Sequence, residues 1–513
     1  MTQGERSFGA NAVLTMVGWA VPAITALIAV PITVRGLGAS QYGLLALTAS
    51  LTGYLGLMEM GLGTAIMRYL SYYRALNEGR PMIGVIKFAL TWFCAAGTAG
   101  GVFLWIAAPW LAASVLHVSH QLLPTAITVM RLTGVSFFLA LVVSVGSAIP
   151  QSFLRYDISA AISGVWGTIS AAGPAVVVLL GHGLVAVVWF TVISQALVLI
   201  LYTVVGYRLF RSVALTAGPA WKEIRRKTLS FAGFTALNQI GYTLAQQTNR
   251  LVVGMAGGVA AAAYYQVPYV LASRVNAMLS TVAQVLFPTA SGLLAKDDFD
   301  GVRRLYLRTS RLFFAGNFSV AVGLCVFAHP LLQYWVSAEY ASKGALALAI
   351  FAIGQSIHAA TMSASYINLS AARPGINLIF STMSSVISLA AVYPLTVRWG
   401  VNGAALAGLC GAANVPFFLH WGHKRILLES SWLVWRRCYQ PTVIGAGLTG
   451  AAAYYLLRPL CHSLVVTLLL WCVFVAFSVG VSGVLGALTR DDVRTARRLA
   501  SSVWSRVSPQ HQR

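Results

Sequence analysis

The sequence predicts an all-α polytopic membrane protein of about fourteen transmembrane helices. Hydrophobic residues fill 58% of its 513 positions and charged residues only 9%, whereas soluble globular domains carry about 25% charged residues. The apolar residues gather in runs of about 20–28, long enough to cross ~30 Å of hydrocarbon as helices. The alternating ten-residue strands that a membrane barrel requires are absent from the pattern.

In chain order the predicted spans cover residues 9–33, 42–66, 83–108, 122–149, 159–180, 183–206 and 230–256, then 261–288, 311–332, 344–369, 375–397, 402–423, 441–458 and 463–487. Polar or Gly/Pro punctuation separates them. Gly181-His182 divides the fifth from the sixth, and Gly257-Gly258 the seventh from the eighth. The first run follows a short polar stretch and is too long for a signal-peptide core, so it is expected to remain as the first span.

Charge orients these spans. Lysine and arginine number 35 against 12 acidic residues, a net charge of +23. With a cytoplasmic N-terminus, twenty-eight of the 35 fall in cytoplasmic segments and four, Arg35, Lys343, Arg398 and Arg458, on the other side. Such a bias is the positive-inside pattern, and it places both termini in the cytoplasm. The basic excess is therefore assigned to orientation and to contact with membrane lipids, and no nucleic-acid partner is expected. Six scattered cysteines have no metal-ligand spacing and read as packing residues.

An internal echo organises the chain. "SFGANAVLTMVGWAVPA" near the N-terminus returns as "SFAGFTALNQIGYTLAQ" after Thr228. Six spans separate the copies, an even number, so both halves enter the membrane in the same direction, as in a parallel repeat. The expected organisation is an N-terminal lobe over 1–208, a basic linker over 209–229, a second lobe over 230–430, two extra helices over 431–489 and a basic tail over 490–513.

The sequence holds no P-loop, no nucleophile elbow, no zinc-binding H-E-x-x-H and no carboxylate pair within a span. A transporter rather than an enzyme is expected, with no cofactor, no metal and no ATP hydrolysis; an H⁺ or Na⁺ gradient is one energy source. Apart from Lys87 and Arg311, which stand at cytoplasmic span ends and are counted with the cytoplasmic charges, and Arg458 at the outer end of its span, four charges lie inside spans and become informative: Glu59, Arg131, Arg250 and Arg274. An arginine at mid-bilayer costs about 2.5 kcal/mol or more and normally faces a cavity or a partner. Arg274 lies about 14 residues into its span, near half depth at ~1.5 Å per residue. Three cations cannot be neutralised by one acid, and a free guanidinium grips phosphate with paired donors, so the expected substrate is anionic. Gln247 and Asn249 offer hydrogen bonds to sugars or to backbone. Glu59, in "LMEMGLGTA", either carries a coupling ion or pairs locally. His358 and His420 read as packing or interfacial residues.

"PITVRGLGASQYGLLALTASLTGYLGLMEMGLGTAIMRYLS", from Pro31 to Ser71, resembles the opening of the polysaccharide-transporter family, the O-antigen and exopolysaccharide flippases of the multidrug/oligosaccharidyl-lipid/polysaccharide exporter superfamily. "QQTNRLVVGMAGGVAAAAYYQVPYVL" resembles the start of that family's second half. The resemblance implies two six-helix lobes in a V around a central cationic cavity, plus two further helices. It implies a bacterial cytoplasmic (inner) membrane location and alternating access that moves a polyprenyl-diphosphate-linked oligosaccharide to the outer leaflet. A polysaccharide polymerase and export machinery are the protein partners it implies. Arg131 and Arg274 match its cavity arginines by position only, and the family's usual aspartate in "GLxDxGLG" is here Glu59.

Rival readings are a lipid II flippase, a multidrug-cation antiporter, a membrane glycosyltransferase or polymerase, and a scaffold. The antiporter needs cavity acids where this chain offers cations. An outward-facing polymerase needs a loop domain, and no outward loop exceeds about a dozen residues.

Overall fold

The computed structural model describes residues 3–59, 62–76, 78–153, 155–211, 221–283, 286–294, 296–371, 373–428 and 430–487. The basic tail over 490–513 and the middle of the 209–229 linker lie outside these residues. Every regular element among the described residues is helical. Ten of the helices are long and apolar enough to cross a membrane.

Two compact units divide the chain. The first comprises Met1–Val267 and Ser385–Ala407. It opens with α1 (Gln3–Leu55), whose path breaks at Gly38, so one long element carries two predicted spans. A short 3-10 turn over Gly56–Glu59 leads into α2 (Leu62–Ala75), followed by α3 (Gly79–Trp110), α4 (Leu123–Ser152), α5 (Tyr156–Leu179) and α6 (Leu184–Phe210). The Gly181-His182 break predicted between the fifth and sixth spans separates α5 from α6, with Gly181 at φ 81°.

Apolar burial holds this unit together. Leu44 and Leu47 of α1 share a core with Leu104 of α3, Met130 of α4 and Val188 of α6. A second core joins Ile66 and Leu70 of α2 to Phe93 of α3 and Phe137 of α4. Helices α3 and α4 cross at Gly101 and Gly134, where a Cβ on Gly134 would stand 3.0 Å from the Gly101 carbonyl oxygen. Arg74 fastens the end of α2 to the end of α4: it donates to the Ser152 carbonyl at 2.9 Å and lies 5.0 Å over the Phe153 ring.

Helix α7 (Trp221–Ala283) breaks at Gly258, the predicted boundary of the seventh and eighth spans. Its first part belongs to the first unit, and from Pro268 it belongs to the second, which comprises Pro268–Ser384 and Gly408–Arg513. There follow α8 (Leu286–Leu294), α9 (Phe299–Trp335), α10 (Ala338–Ala359), α11 (Met362–Ser370), α12 (Pro374–Gly411), α13 (Val415–Gly422) and α14 (Ser431–Val434). The chain ends its described part with α15 (Gln440–Leu456) and α16 (Leu464–Ser482). Helix α12 breaks at Gly400, between the predicted eleventh and twelfth spans.

In the second unit α15 and α16 pack on α9. Phe327 meets Phe474 edge-on at 6.1 Å, Ser478 donates to Ser319 at 3.1 Å, and Gly450 admits Val322. The two helices expected as an appendix to the second lobe are thus docked on α9 by a buried aromatic pair and a serine bridge.

Candidate functional site

The in-span polar residues of the first unit collect along one helix seam. Past Gly38, α1 runs against the first part of α7, with rising numbers on one meeting falling numbers on the other. Gly43 against the Val259 carbonyl, Gly254 against Leu47 and Gly53 against Gln247 leave no room for a Cβ. Close backbone approach lets short polar groups meet across the seam, and the Tyr54 and Thr248 hydroxyls hydrogen-bond there.

Gln247, Asn249 and Arg250 all lie on this seam or beside it. The Gln247 Oε1 is buried and has no hydrogen-bond partner among the described residues. Asn249, 6% exposed, donates from Nδ2 to the Ser388 hydroxyl of α12 at 3.3 Å. Arg250 donates to the Ala46 carbonyl at 3.4 Å, an oxygen that also accepts from the Ser50 hydroxyl at 3.2 Å. Its charge lies beside the buried phenols of Tyr42 and Tyr265. The structure therefore gives Arg250 and Asn249 partners within the protein, and together they tie α1, α7 and α12.

Glu59 closes the 3-10 turn between α1 and α2. The Trp92 indole N–H of α3 donates to the neighbouring Met58 carbonyl at 3.1 Å and fixes the turn. The Glu59 carboxylate accepts the Gly63 backbone N–H at the start of α2, where unsatisfied amides and the helix dipole favour an anion. A Cβ on Gly63 would stand 2.5 Å from Glu59 Oε1, so the glycine makes that approach possible.

Arg131 sits on α4 about two turns from its start, and its guanidinium lies 5.2 Å over the Trp105 ring of α3. Its Nε is buried without a hydrogen-bond partner among the described residues. Arg274 belongs to the second unit. It is half-buried, and among the described residues it makes no hydrogen bond, ion pair or ring contact. Two residues on, Asn276 donates to the Gln355 side chain of α10 at 2.7 Å.

The site residues read from sequence thus separate into three settings. Gln247, Asn249 and Arg250 are brought together, Arg131 is stacked elsewhere in the same unit, and Arg274 keeps a guanidinium that no polar group among the described residues engages. Sequence reading missed Tyr54, Thr248, Tyr42, Tyr265 and Ser388, because a tyrosine or serine in an apolar run carries no local mark of its distant partner. Among the described residues no group of three or more metal-ligating side chains occurs.

Comparison with known proteins bears on this geometry. A family profile described as "Polysaccharide biosynthesis protein" matches residues 32–344. A curated Shigella flexneri protein, named as a candidate O-antigen transporter, is 19% identical over 418 residues, covering 81% of this chain and 97% of that protein. An inward-facing multidrug resistance MATE family transporter of the MOP superfamily superposes with a TM-score of 0.69 at 17% identity, covering 81% of this chain and 98% of its own. The lipid II flippase MurJ, in an inward closed conformation, gives 0.66 at 12% identity, covering 90% and 98%. At such identities the two structures establish a common fold.

Proposed function

The chain belongs to the polysaccharide biosynthesis protein family, and from that premise we propose that it is a flippase. It moves a polyprenyl-diphosphate-linked oligosaccharide, an O-antigen or exopolysaccharide repeat unit, from the cytoplasmic to the outer leaflet by alternating access. The observation that carries the reading is Arg274: a permanent cation in an apolar span, with no partner among the described residues. Keeping such a group inside a membrane is costly unless an anion uses it. A diphosphate accepts the paired donors of a guanidinium and suits a lipid carrier whose tail stays in hydrocarbon. Arg131 and Arg250 add positive charge along the route, and the Gln247 carbonyl, unpartnered among the described residues, offers an acceptor to sugar hydroxyls.

Fourteen crossings with both termini in the cytoplasm fit the charge asymmetry. The energy is drawn from an H⁺ or Na⁺ gradient, with Glu59 as the in-span acid. The protein acts in the bacterial cytoplasmic membrane, delivering substrate to a polymerase and export machinery on the far side.

The test is reconstitution in liposomes with a defined lipid-linked oligosaccharide, reading leaflet exchange with and without an imposed gradient. Exchange that requires the protein and accelerates with the gradient is the expected result. Absence of exchange by well-incorporated protein, across several lipid-linked glycans, would overturn the reading.

A further inference from the structure

The second unit holds a polar cluster that the flippase reading leaves unused. After α13 the backbone widens into two π-helical turns, His423–Leu427 and Trp435–Tyr439. Such turns cost regular helix hydrogen bonding and occur often at functional positions. The first carries His423, which meets Tyr306 of α9, and the second carries Tyr439, which lies beside Tyr306 and Ser310 of α9.

All four residues are at most 3% exposed. The imidazole of His423 meets the Tyr306 ring edge-on at 6.0 Å. Ser310 lies close to both phenols, Tyr306 and Tyr439. Yet His423 Nδ1 and Nε2 have no hydrogen-bond partner among the described residues, and the Tyr306 and Tyr439 hydroxyls have none there beyond their approach to Ser310. A buried imidazole left dry on both nitrogens would be destabilising. A neutral imidazole has one donor and one acceptor nitrogen, hydroxyls do both, and water with two to four bonds satisfies the set.

One turn before His423, the exposed His420 places Nδ1 2.8 Å from the Ser431 hydroxyl. His420 lines a cavity of roughly 690 Å³ with Lys424, Leu428, Ser430, Ser431 and Trp432. The two imidazoles are near enough to repel each other when charged. The titratable groups shown against His423 are the Tyr306 phenol from α9 and His420 on its own helix, with the Cys438 thiol and Tyr439 phenol of the second π turn beside Tyr306 and Lys424 next in sequence. None of these is a carboxylate.

We propose that His423, Tyr306, Ser310 and Tyr439 enclose a hydrated proton-binding site, loaded from the cavity through His420. A proton delivered by water adds to the acceptor nitrogen of His423, the hydronium reverts to water, and the phenol and serine oxygens orient the imidazolium. If transport is gradient-driven as proposed above, this is a second place, besides Glu59, where the driving proton is held.

The test needs no substrate. Purified full-length protein in nanodiscs is taken from about pH 8 to about pH 5, and protons taken up per molecule are counted with an indicator dye. A dry imidazole would stay neutral across this window; a hydrated one is charged by its end. His423→Gln is expected to take up one proton fewer, and Tyr306→Phe to keep the number while moving the midpoint. Equal uptake by folded His423→Gln protein would overturn the site. Should that variant fail to fold, ¹⁵N-histidine spectra of the native protein and Tyr306→Phe decide: one imidazole with a moved midpoint supports the site, and unchanged titrations overturn it. Proton uptake without lipid exchange refutes the flippase and leaves this site standing; exchange with no missing proton in His423→Gln does the reverse.

Discussion

Gly38 and Gly258 hold the same backbone geometry 220 positions apart, φ 76° and ψ 167° at the first, φ 77° and ψ 174° at the second. That region of backbone space is essentially closed to residues with a Cβ. A second pair with positive φ, Gly181 and Gly400, lies 219 positions apart. Two turns in each half therefore recur at spacings that differ by a single residue, the hinge pair setting 220, which gives the weak sequence echo a backbone counterpart. The same spacing maps Arg274 onto Tyr54, so the repeat reproduces the turns and not the charges.

Replacing either hinge glycine should tax folding. Gly38→Ala and Gly258→Ala are each expected to cost about 1–3 kcal/mol, lowering the melting temperature of detergent-solubilised protein. Gly292 of α8 is the control: it is helical, exposed and has nothing within 4 Å of an added Cβ. Gly292→Ala should hold or raise the melting temperature, by up to ~1 kcal/mol of helix propensity.

Glu59 has two separable jobs. As the acceptor for the Gly63 amide it starts α2, and Glu59→Ala should lose about 1 kcal/mol of stability, as for other lost helix caps. Glu59→Gln keeps an acceptor oxygen, so its melting temperature should stay near that of the native protein. Measured leaflet exchange with and without a gradient then isolates the charge. Gradient stimulation that disappears in Glu59→Gln supports ion coupling, and stimulation that persists assigns Glu59 to the helix start alone.

The spans and their turns were legible because both signals are local: the length of an apolar run, and glycine where the chain must reverse. The Gly181 and Gly258 breaks fell where the sequence placed them. The polar seam was not legible. Tyr54 and Thr248 are 194 positions apart, and neither is unusual in its own window. Arg250 stood out in sequence as a cation inside an apolar span, and the structure shows it donating to the Ala46 carbonyl, a backbone acceptor that no side-chain pattern announces. The His423 cluster draws on residues 306 to 439, and His420, expected to be packing or interfacial, lines a cavity and bonds Ser431.

Arg131 should depend on the ring beneath it. A guanidinium over an indole gains about 0.5–1 kcal/mol at an exposed site, and Trp105 is 51% exposed. Trp105→Leu is expected to free the guanidinium and raise the half-saturating substrate concentration for exchange by roughly two- to five-fold. Trp110→Leu, one turn and a half further on the same helix, should leave it unchanged. Equal effects of the two substitutions would mean that the aromatic belt, and not the stack on Arg131, is being read.

Arg274 separates binding from folding most cleanly. Arg274 makes no hydrogen bond, ion pair or ring contact among the described residues, so its removal breaks no such bond there and relieves the cost of a cation in a span; Arg274→Ala protein should accumulate and melt at or above the native temperature. Its loss should nevertheless cut leaflet exchange by roughly ten- to a hundred-fold, as expected for a charge-assisted bond of about 1.5–3 kcal/mol. Arg274→Lys keeps the charge and gives up the planar pair of donors, and should fall between the two. Raising the salt should weaken native exchange less than it weakens exchange by Arg274→Lys, because a paired guanidinium contact is better shielded from bulk ions than a mobile ammonium. Native-level exchange by Arg274→Ala at low substrate would remove the residue from the site and leave the anionic headgroup to be held elsewhere.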